Sequence, residues 1–161
     1  MRIIRILTTP LIALAFAACS ESNCILGNTI EARVEFRSSV SGKQIASSGM
    51  TTLWLCRQNA ADTVVINKRT NMSKFSLPLD NTSEQDIFIL QYDTAYNSPR
   101  DTFTIGHTNI PKFVSIECGT EMYHTITYTS ATDNVMDSLV VVRKDVNYYE
   151  EANIYIYCTD N

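Results

Sequence analysis

Short strand-forming segments bounded by turn signals recur about every 10–15 residues along the chain, and this spacing most constrains its fold. In the first segment, Ala32, Val34 and Phe36 alternate with charged residues, which is typical of a strand with one buried face. No stretch has a helical periodicity. The sequence therefore predicts an all-β fold, an antiparallel β-sandwich, immunoglobulin-like or related. Its strands number about ten and fall near residues 30–37, 51–56, 63–66, 75–79, 86–92, 101–106, 111–117, 122–129, 139–142 and 154–158.

The N-terminal segment has the pattern of a removable export signal. Arg2 and Arg5 precede an apolar run, and the segment is shorter than the roughly 20 apolar residues that a membrane-spanning helix needs. The run ends in Phe-Ala-Ala-Cys at residues 16–19, which resembles the lipobox of bacterial lipoproteins, although Phe16 replaces the usual leucine. We predict cleavage before Cys19 and acylation of its thiol. An ordinary secretory signal, in which Cys19 is one more cysteine, is the alternative.

These boundaries predict a signal peptide (1–18), a lipidated tether (19–28) and a single β-sandwich domain (29–161). Each buried methylene contributes about 0.8 kcal/mol, so several acyl chains would hold the domain stably on a membrane. We expect an outer-membrane lipoprotein of the cell envelope; the sequence leaves open which leaflet it faces.

Cleavage removes two arginines and changes the formal net charge from −4 to −6. An acidic chain without a basic cluster is a poor candidate for nucleic-acid binding.

Five cysteines are present, and four remain if Cys19 carries lipid. An even number in an exported chain indicates disulfides, and four cysteines allow three connectivities. We favour Cys24–Cys118, which would clamp the start of the domain onto a strand end, and Cys56–Cys158, which would tie in the last strand. No close Cys-x-x-Cys pair occurs, so neither a zinc knuckle nor any cofactor is predicted.

The mature region resembles a family of small, uncharacterised Bacteroidetes lipoproteins, classed as a domain of unknown function. The residues that carry the likeness are Phe-Val-Ser-Ile-Glu-Cys-Gly at 113–119, Cys24 ahead of Val34-x-Phe36, Phe-Ser-Leu-Pro-Leu at 75–79, and Asp-Ser-Leu at 137–139. The likeness covers most of residues 24–145. It implies a pairing of Cys24 with Cys118 and makes Cys56 and Cys158 additions in this member. The family brings no catalytic residues with it.

The candidates for catalysis are few. His107, in a turn predicted at residues 107–110, and His124, in a strand, are expected to be ordinary surface histidines. Glu150 and Glu151 are adjacent, and neighbours on a strand point to opposite faces, so they are not a ready acid/base pair. Neither a serine nucleophile elbow nor a glycine-rich phosphate loop occurs. We therefore predict no catalytic residues.

Tyrosines near the C-terminus are candidates for binding. Tyr149, Tyr155 and Tyr157 share a parity and would form an outward stripe if residues 149–157 were one strand. Exposed aromatic side chains bind sugars and proteins well because they supply rigid contact area. Tyrosine is also simply a good strand former, and the face could be a second sheet interface, so structural roles are the alternatives.

Three tripeptides begin with Asp, continue with a hydroxyl residue and end with a small or aliphatic one. They begin at Asp62, Asp93 and Asp137 and resemble the acceptor pattern for protein O-glycosylation in the same bacterial phylum. We predict that at least one of Thr63, Thr94 and Ser138 carries a sugar.

Taken together, these patterns predict a non-catalytic envelope lipoprotein that binds or scaffolds another envelope component, as part of a protein complex. A surface glycan-binding module is the alternative, and a hydrolase whose site assembles only in three dimensions is a weaker one. A pocket with two convergent carboxylates, or His107 beside His124, would favour the hydrolase. The sequence does not identify the ligand.

Overall fold

The structure, a computed structural model, describes residues 30–47, 51–56, 62–92, 98–116 and 118–159; for residues 54–56 it describes the backbone alone. These residues contain strands and no helix. In the described part, therefore, no helix could cross a membrane. The predicted signal peptide, Cys19 and the tether lie outside the described residues.

Ten strands are present in the described ranges. They are β1 (Glu31–Ser38), β2 (Thr51–Cys56), β3 (Thr63–Arg69), β4 (Lys74–Pro78), β5 (Gln85–Tyr92), β6 (Arg100–Ser115), β7 (Gly119–Ala131), β8 (Ser138–Val141), β9 (Asp145–Val146) and β10 (Ile154–Cys158). They form a four-stranded sheet of order β4-β1-β10-β8 and a six-stranded sheet of order β3-β2-β5-β6-β7-β9. The two sheets pack together, so the predicted all-β sandwich is confirmed.

One strand pair joins the two ends of the described chain. β1 lies parallel to β10, with Val34 opposite Ile154 and Ser38 opposite Cys158. The other strand pairs of the described part are antiparallel. The two central strands of the four-stranded sheet are therefore its first and its last in the chain.

Alternation along β1 places apolar side chains on the inner face of the four-stranded sheet. Ala32, Val34 and Phe36 are almost fully buried, as predicted. The six-stranded sheet contributes Phe88 and Phe103, whose rings stack with centroids 5.2 Å apart. Burying a side chain of this size stabilises the fold by about 1.5–3 kcal/mol. The core therefore lies between the sheets and draws on both.

The prediction of two separate strands between residues 101 and 117 is wrong. The predicted strands 101–106 and 111–117 and the turn between them are a single strand, β6, with a register shift between Gly106 and His107. The polar residues taken for a turn continue the strand with their side chains hydrogen-bonded. Pro111 is tolerated because it pairs with Met122 alone, where β5 no longer runs alongside.

One further difference lies near the C-terminus, where the short strand β9 was not predicted. The last strand, β10, spans residues 154–158 as predicted, so Tyr149 lies in the loop before it. Asn153 shapes this loop by donating from Nδ2 to the carbonyls of Arg143 and Asp145, 3.2 and 2.9 Å away. Residues 149–157 are therefore not one strand, and the condition for an outward stripe of all three tyrosines is not met.

Asp101 is a buried carboxylate that holds the loop between β7 and β8. Oδ1 accepts hydrogen bonds from the hydroxyl of Thr132 and the backbone N–H of Asn134, at 2.8 and 2.7 Å. Oδ2 accepts from the N–H groups of Val135 and Met136, both at 2.8 Å. Four donors satisfy the charge, and the side chain of Met136 is buried beside it.

Tyr128 covers Gly106 on the neighbouring strand. The two residues are opposite each other, and a Cβ added at Gly106 would lie 2.0 Å from a ring carbon of Tyr128. The Tyr128 hydroxyl also donates to the side-chain carbonyl of Gln85. Only a glycine lets the ring lie flat across β6 at this point.

We expect Gly106→Ala to destabilise the protein by about 1–3 kcal/mol, because the added methyl group displaces the Tyr128 ring. The measurement is urea unfolding of the single variant and of Gly106→Ala combined with Tyr128→Ala. In the Tyr128→Ala background, Gly106→Ala should lower the free energy of unfolding by clearly less than it does in the unaltered protein. Equal costs in both backgrounds would contradict the role given to the ring.

Candidate functional site

A buried polar cluster lies on the core-facing side of the six-stranded sheet. It consists of Asp86 on β5, His107 and Asn109 on β6, and His124 on β7, and we call it the histidine cluster. His107 and His124 are 1% and 2% exposed, and their ring centroids are 5.1 Å apart. The expectation that both are surface histidines is therefore wrong. Sequence reasoning missed the pair because residues on different strands meet only through the sheet register.

Asn109 orients both imidazole rings. Its Nδ2 donates to the backbone carbonyls of Asp80 and Ser83, at 3.2 and 2.7 Å, so its Oδ1 is the acceptor. That oxygen lies 2.9 Å from Nδ1 of His107 and 2.8 Å from Nδ1 of His124. The pattern therefore assigns a proton to Nδ1 of each histidine.

His107 and Asp86 share one further proton. Nε2 of His107 lies 3.1 Å from Oδ2 of Asp86, which also accepts the backbone N–H of Asp80 at 2.8 Å. Two bare lone pairs at this distance would repel, so a proton stands between Nε2 and Oδ2. The pair is therefore either an imidazolium–carboxylate or two neutral groups, and both assignments have a net charge of zero.

His124 is neutral at physiological pH. Burial and, to a smaller extent, the neighbouring His107 lower its pKa to about 4, against the opposing effect of Asp86. Its Nε2 is then unprotonated. No group of three or more His, Cys, Asp or Glu in the described part of the chain is placed to hold a metal ion. Through Asn109 and Asp86, which bond the backbone of Asp80 and Ser83, the histidine cluster anchors the β4–β5 connection to the sheet.

We predict that acid destabilises the protein partly through His124. Its folded pKa of about 4 lies below the value of 6.5 for a free histidine, so the unfolded chain binds more protons between these values. Stability should therefore fall by roughly 2–3 kcal/mol as the pH drops through this window. In His124→Asn, the amide Nδ2 can still donate to Asn109 but does not titrate.

The measurement is the free energy of unfolding of both proteins from pH 7 to pH 4. Asn at position 124 is smaller, so the variant should be less stable throughout, with a shallower fall below pH 6.5. Parallel curves would show that His124 does not titrate on unfolding.

A groove of about 490 Å³ lies on the outer face of the four-stranded sheet. Its walls are the outward side chains of β1 and β4 and the loop before β10, including Arg33, Glu35, Lys74, Glu150 and Glu151. The carboxylates of Glu35 and Glu151 have cationic partners: Nη2 of Arg37 lies 2.8 Å from Glu35, and Nη1 of Arg143 lies 3.0 Å from Glu151. We call this surface the outer-face groove.

Glu35 is held at the base of the outer-face groove although it lies on the solvent side of the sheet. It is only 9% exposed. Arg37, its partner, also lies over the Tyr155 ring, with the guanidinium carbon 3.9 Å from the centroid, and donates from Nη1 to the carbonyl of Gly42 at 2.8 Å. A cation between a carboxylate and an aromatic face is a rigid arrangement.

The three predicted tyrosines border the same face in different ways. Tyr155 and Tyr157 lie side by side on the outer face of β10, with ring centroids 6.3 Å apart and one ring edge-on to the other. Tyr149 is 68% exposed in the loop, and its carbonyl accepts a hydrogen bond from Nε of Arg33 at 2.9 Å. The structure therefore supports the parity of Tyr155 and Tyr157 and places Tyr149 beyond the groove wall.

The cysteines partly contradict the predicted pairing. Cys158 carries a free thiol, 3.4 Å from the hydroxyl of Tyr92, so the predicted Cys56–Cys158 bridge is not formed. The reason is geometric: Cys56 pairs with Ile87, whereas Tyr92 pairs with Thr51, about 16 Å away along β2. Bridged Cα atoms lie within about 7 Å of each other.

Cys118 is disulfide-bonded. Cys24, the partner that we predict for it, lies outside the described residues, so the Cys24–Cys118 pairing stays a prediction.

We predict that Cys158 reacts slowly with thiol reagents in the native protein, because burial raises the pKa of its thiol. Iodoacetamide should label Cys158 at least about tenfold faster in denaturant than in the native protein. Peptide mapping without reduction measures the labelled fraction. The absence of any labelled Cys158 in denaturant would mean that it forms a bridge after all.

The structure describes two of the three predicted glycosylation sites. Thr63 at the start of β3 and Ser138 at the start of β8 are exposed, as a modified hydroxyl needs. Thr94 lies outside the described residues. The modification itself stays a prediction.

Comparison with known proteins gives a family. Residues 51–158 match the model of the family of unknown function DUF6452. The chain belongs to this family. The match spans well over half of the 161 residues and confirms the predicted resemblance to an uncharacterised family. It covers residues 51–158, whereas the predicted likeness covers most of residues 24–145. No curated protein and no solved structure matches the chain.

Proposed function

We propose that this member of the DUF6452 family is a non-catalytic lipoprotein of the bacterial cell envelope that binds a partner protein. In this proposal residues 1–18 are removed, Cys19 is acylated, and the domain is held at the outer membrane of a Bacteroidetes cell. The lipobox-like end of the apolar run supports the anchor. The Cys24–Cys118 bridge and sugars on Thr63, Thr94 or Ser138 belong to the same proposal.

The observation that carries the binding role is the outer-face groove. No described strand or loop covers this face, yet it holds a preorganised set of charges and two adjacent tyrosines. Its walls carry both signs, with Lys74 and Arg33 on one strand pair and Glu150 and Glu151 in the facing loop. Protein interfaces favour arginine and tyrosine at such sites because both give large contact areas with fixed hydrogen-bond geometry.

A glycan ligand is the second candidate. Tyr155 and Tyr157 present ring surface, and the neighbouring carboxylates and guanidinium groups could receive and donate hydrogen bonds to sugar hydroxyls. A glycan array probed with the mature domain separates the two candidates, because a protein partner gives no signal there.

Lys74→Glu should weaken recovery of the partner. The test is chemical crosslinking of the acylated protein in native membranes, followed by pull-down and mass spectrometry. Charge reversal in the groove should reduce the recovered partner at least about tenfold, equivalent to about 1.4 kcal/mol.

Lys68→Glu is the matched control, because it makes the same charge change at an exposed position on β3 of the other sheet. It should leave recovery unchanged. Equal recovery from both variants, or no reproducible partner from the unaltered protein, would refute the groove as a protein-binding site.

A further inference from the structure

The β6–β7 hairpin extends beyond the rest of the six-stranded sheet. The pairing of β6 with β5 ends at Gly106, and that of β7 with β9 ends at His124. From Ile110 to Ser115, β6 is therefore paired only with β7 among the described strands. Six residues of strand span about 20 Å. We call this extension the hairpin arm.

The outer end of the hairpin arm is apolar and exposed. Phe113, Val114 and Ile116 are 70%, 47% and 89% exposed. Ile110, which is 40% exposed, and Phe113 are three residues apart in a regularly paired part of the strand, so they point to opposite faces of the arm. A protein that docks on one face would leave the other in water. Apolar side chains on both faces favour an environment that surrounds the tip.

The first described residue lies at the same end of the molecule as the arm. β1 runs from this end towards Ser38, which pairs with Cys158, and Cys158 touches Tyr92 at the opposite end of the six-stranded sheet. The chain before β1 therefore starts from the side to which the arm points. Ile30 lies eleven positions after Cys19, and a chain of this length spans at most about 36–40 Å. A group on Cys19 can thus reach the plane of the arm's tip.

Two further observations fit a membrane at this end. Cys118, at the tip, is disulfide-bonded, and its predicted partner Cys24 is only five residues from Cys19. Behind the tip, Lys112 Nζ lies 4.1 Å from the Tyr123 ring centroid. Lysine and tyrosine are the side chains that anchor proteins at the headgroup level of a bilayer.

We propose that the tip of the hairpin arm, with Phe113, Val114 and Ile116, inserts into the surface of the lipid bilayer that holds the acylated Cys19. This inference rests on the proposed function, because it takes the acyl anchor as given. The anchor holds the domain at the membrane, and the tip is a second contact that fixes its orientation. Two contacts restrict the tilt of the domain more than a single anchor point does.

The test uses tryptophan quenching by lipids brominated on their acyl chains. The acylated mature protein is reconstituted in phosphatidylethanolamine–phosphatidylglycerol vesicles as Phe113→Trp, as Ile116→Trp and unaltered, with native Trp54 as the baseline. Side chains at the headgroup–acyl boundary lie about 5–10 Å deep, so brominated lipid should remove about half of the emission added at position 113 or 116.

Val40→Trp is the matched control. Val40 is 79% exposed in the turn after β1, at the end of the molecule opposite to the arm, so its added emission should not be quenched. Equal quenching at positions 40 and 113 would overturn the orientation. No quenching at either tip position would overturn the inference, whether the tip is in water or on a protein.

Intact mass separates this failure from a failure of the proposed function. A mature protein that carries acyl groups but shows an unquenched tip refutes the inference and leaves the lipoprotein intact. A mature protein without acyl groups refutes the anchor itself, and with it the premise of the inference.

Discussion

Burial of apolar side chains between the two sheets is the interaction on which the rest of this protein depends. Each sheet has one apolar face, and Phe36 or Phe88 is buried only because the other sheet lies over it. The carboxylate of Asp101 is tolerated in this interior because four donors satisfy it. The histidine cluster follows the same rule, with Asn109 bonded at every side-chain position. Its chemistry is therefore that of a satisfied interior.

Properties that depend on local periodicity could be predicted from the sequence. The alternation around Val34 gave the correct faces of β1, and the parity of Tyr155 and Tyr157 gave the outer face of β10, because side chains in a strand have a period of two. Two parts of β6 were predicted as separate strands, but its continuity through residues 107–110 could not be, because His107 and Asn109 resemble turn residues until their partners on other strands are known. The outer-face groove and the free thiol of Cys158 likewise depend on which strands are neighbours.

The two proposed contacts use parts of the molecule with different physical character. The outer-face groove consists of charges held in fixed positions, such as Glu35 beneath Arg37, and suits recognition of a specific partner. The hairpin arm has exposed apolar side chains on both faces, which suits contact with lipid. An anchored domain whose tilt is restricted would present the groove to its partner in a limited range of directions.

The parallel pairing of β1 with β10 also sets the order in which the protein can fold. Val34 and its partner Ile154 are 120 residues apart, so a ribosome that adds about 5–20 residues per second makes them about 6–24 s apart. The β6–β7 hairpin, whose contacts are local, can form during that interval. The backbone edge of β1 that pairs with β10 has no partner until the last strand has been synthesised. Nascent chains of this fold therefore spend seconds with an open sheet edge, which is when a chaperone would protect them from aggregation.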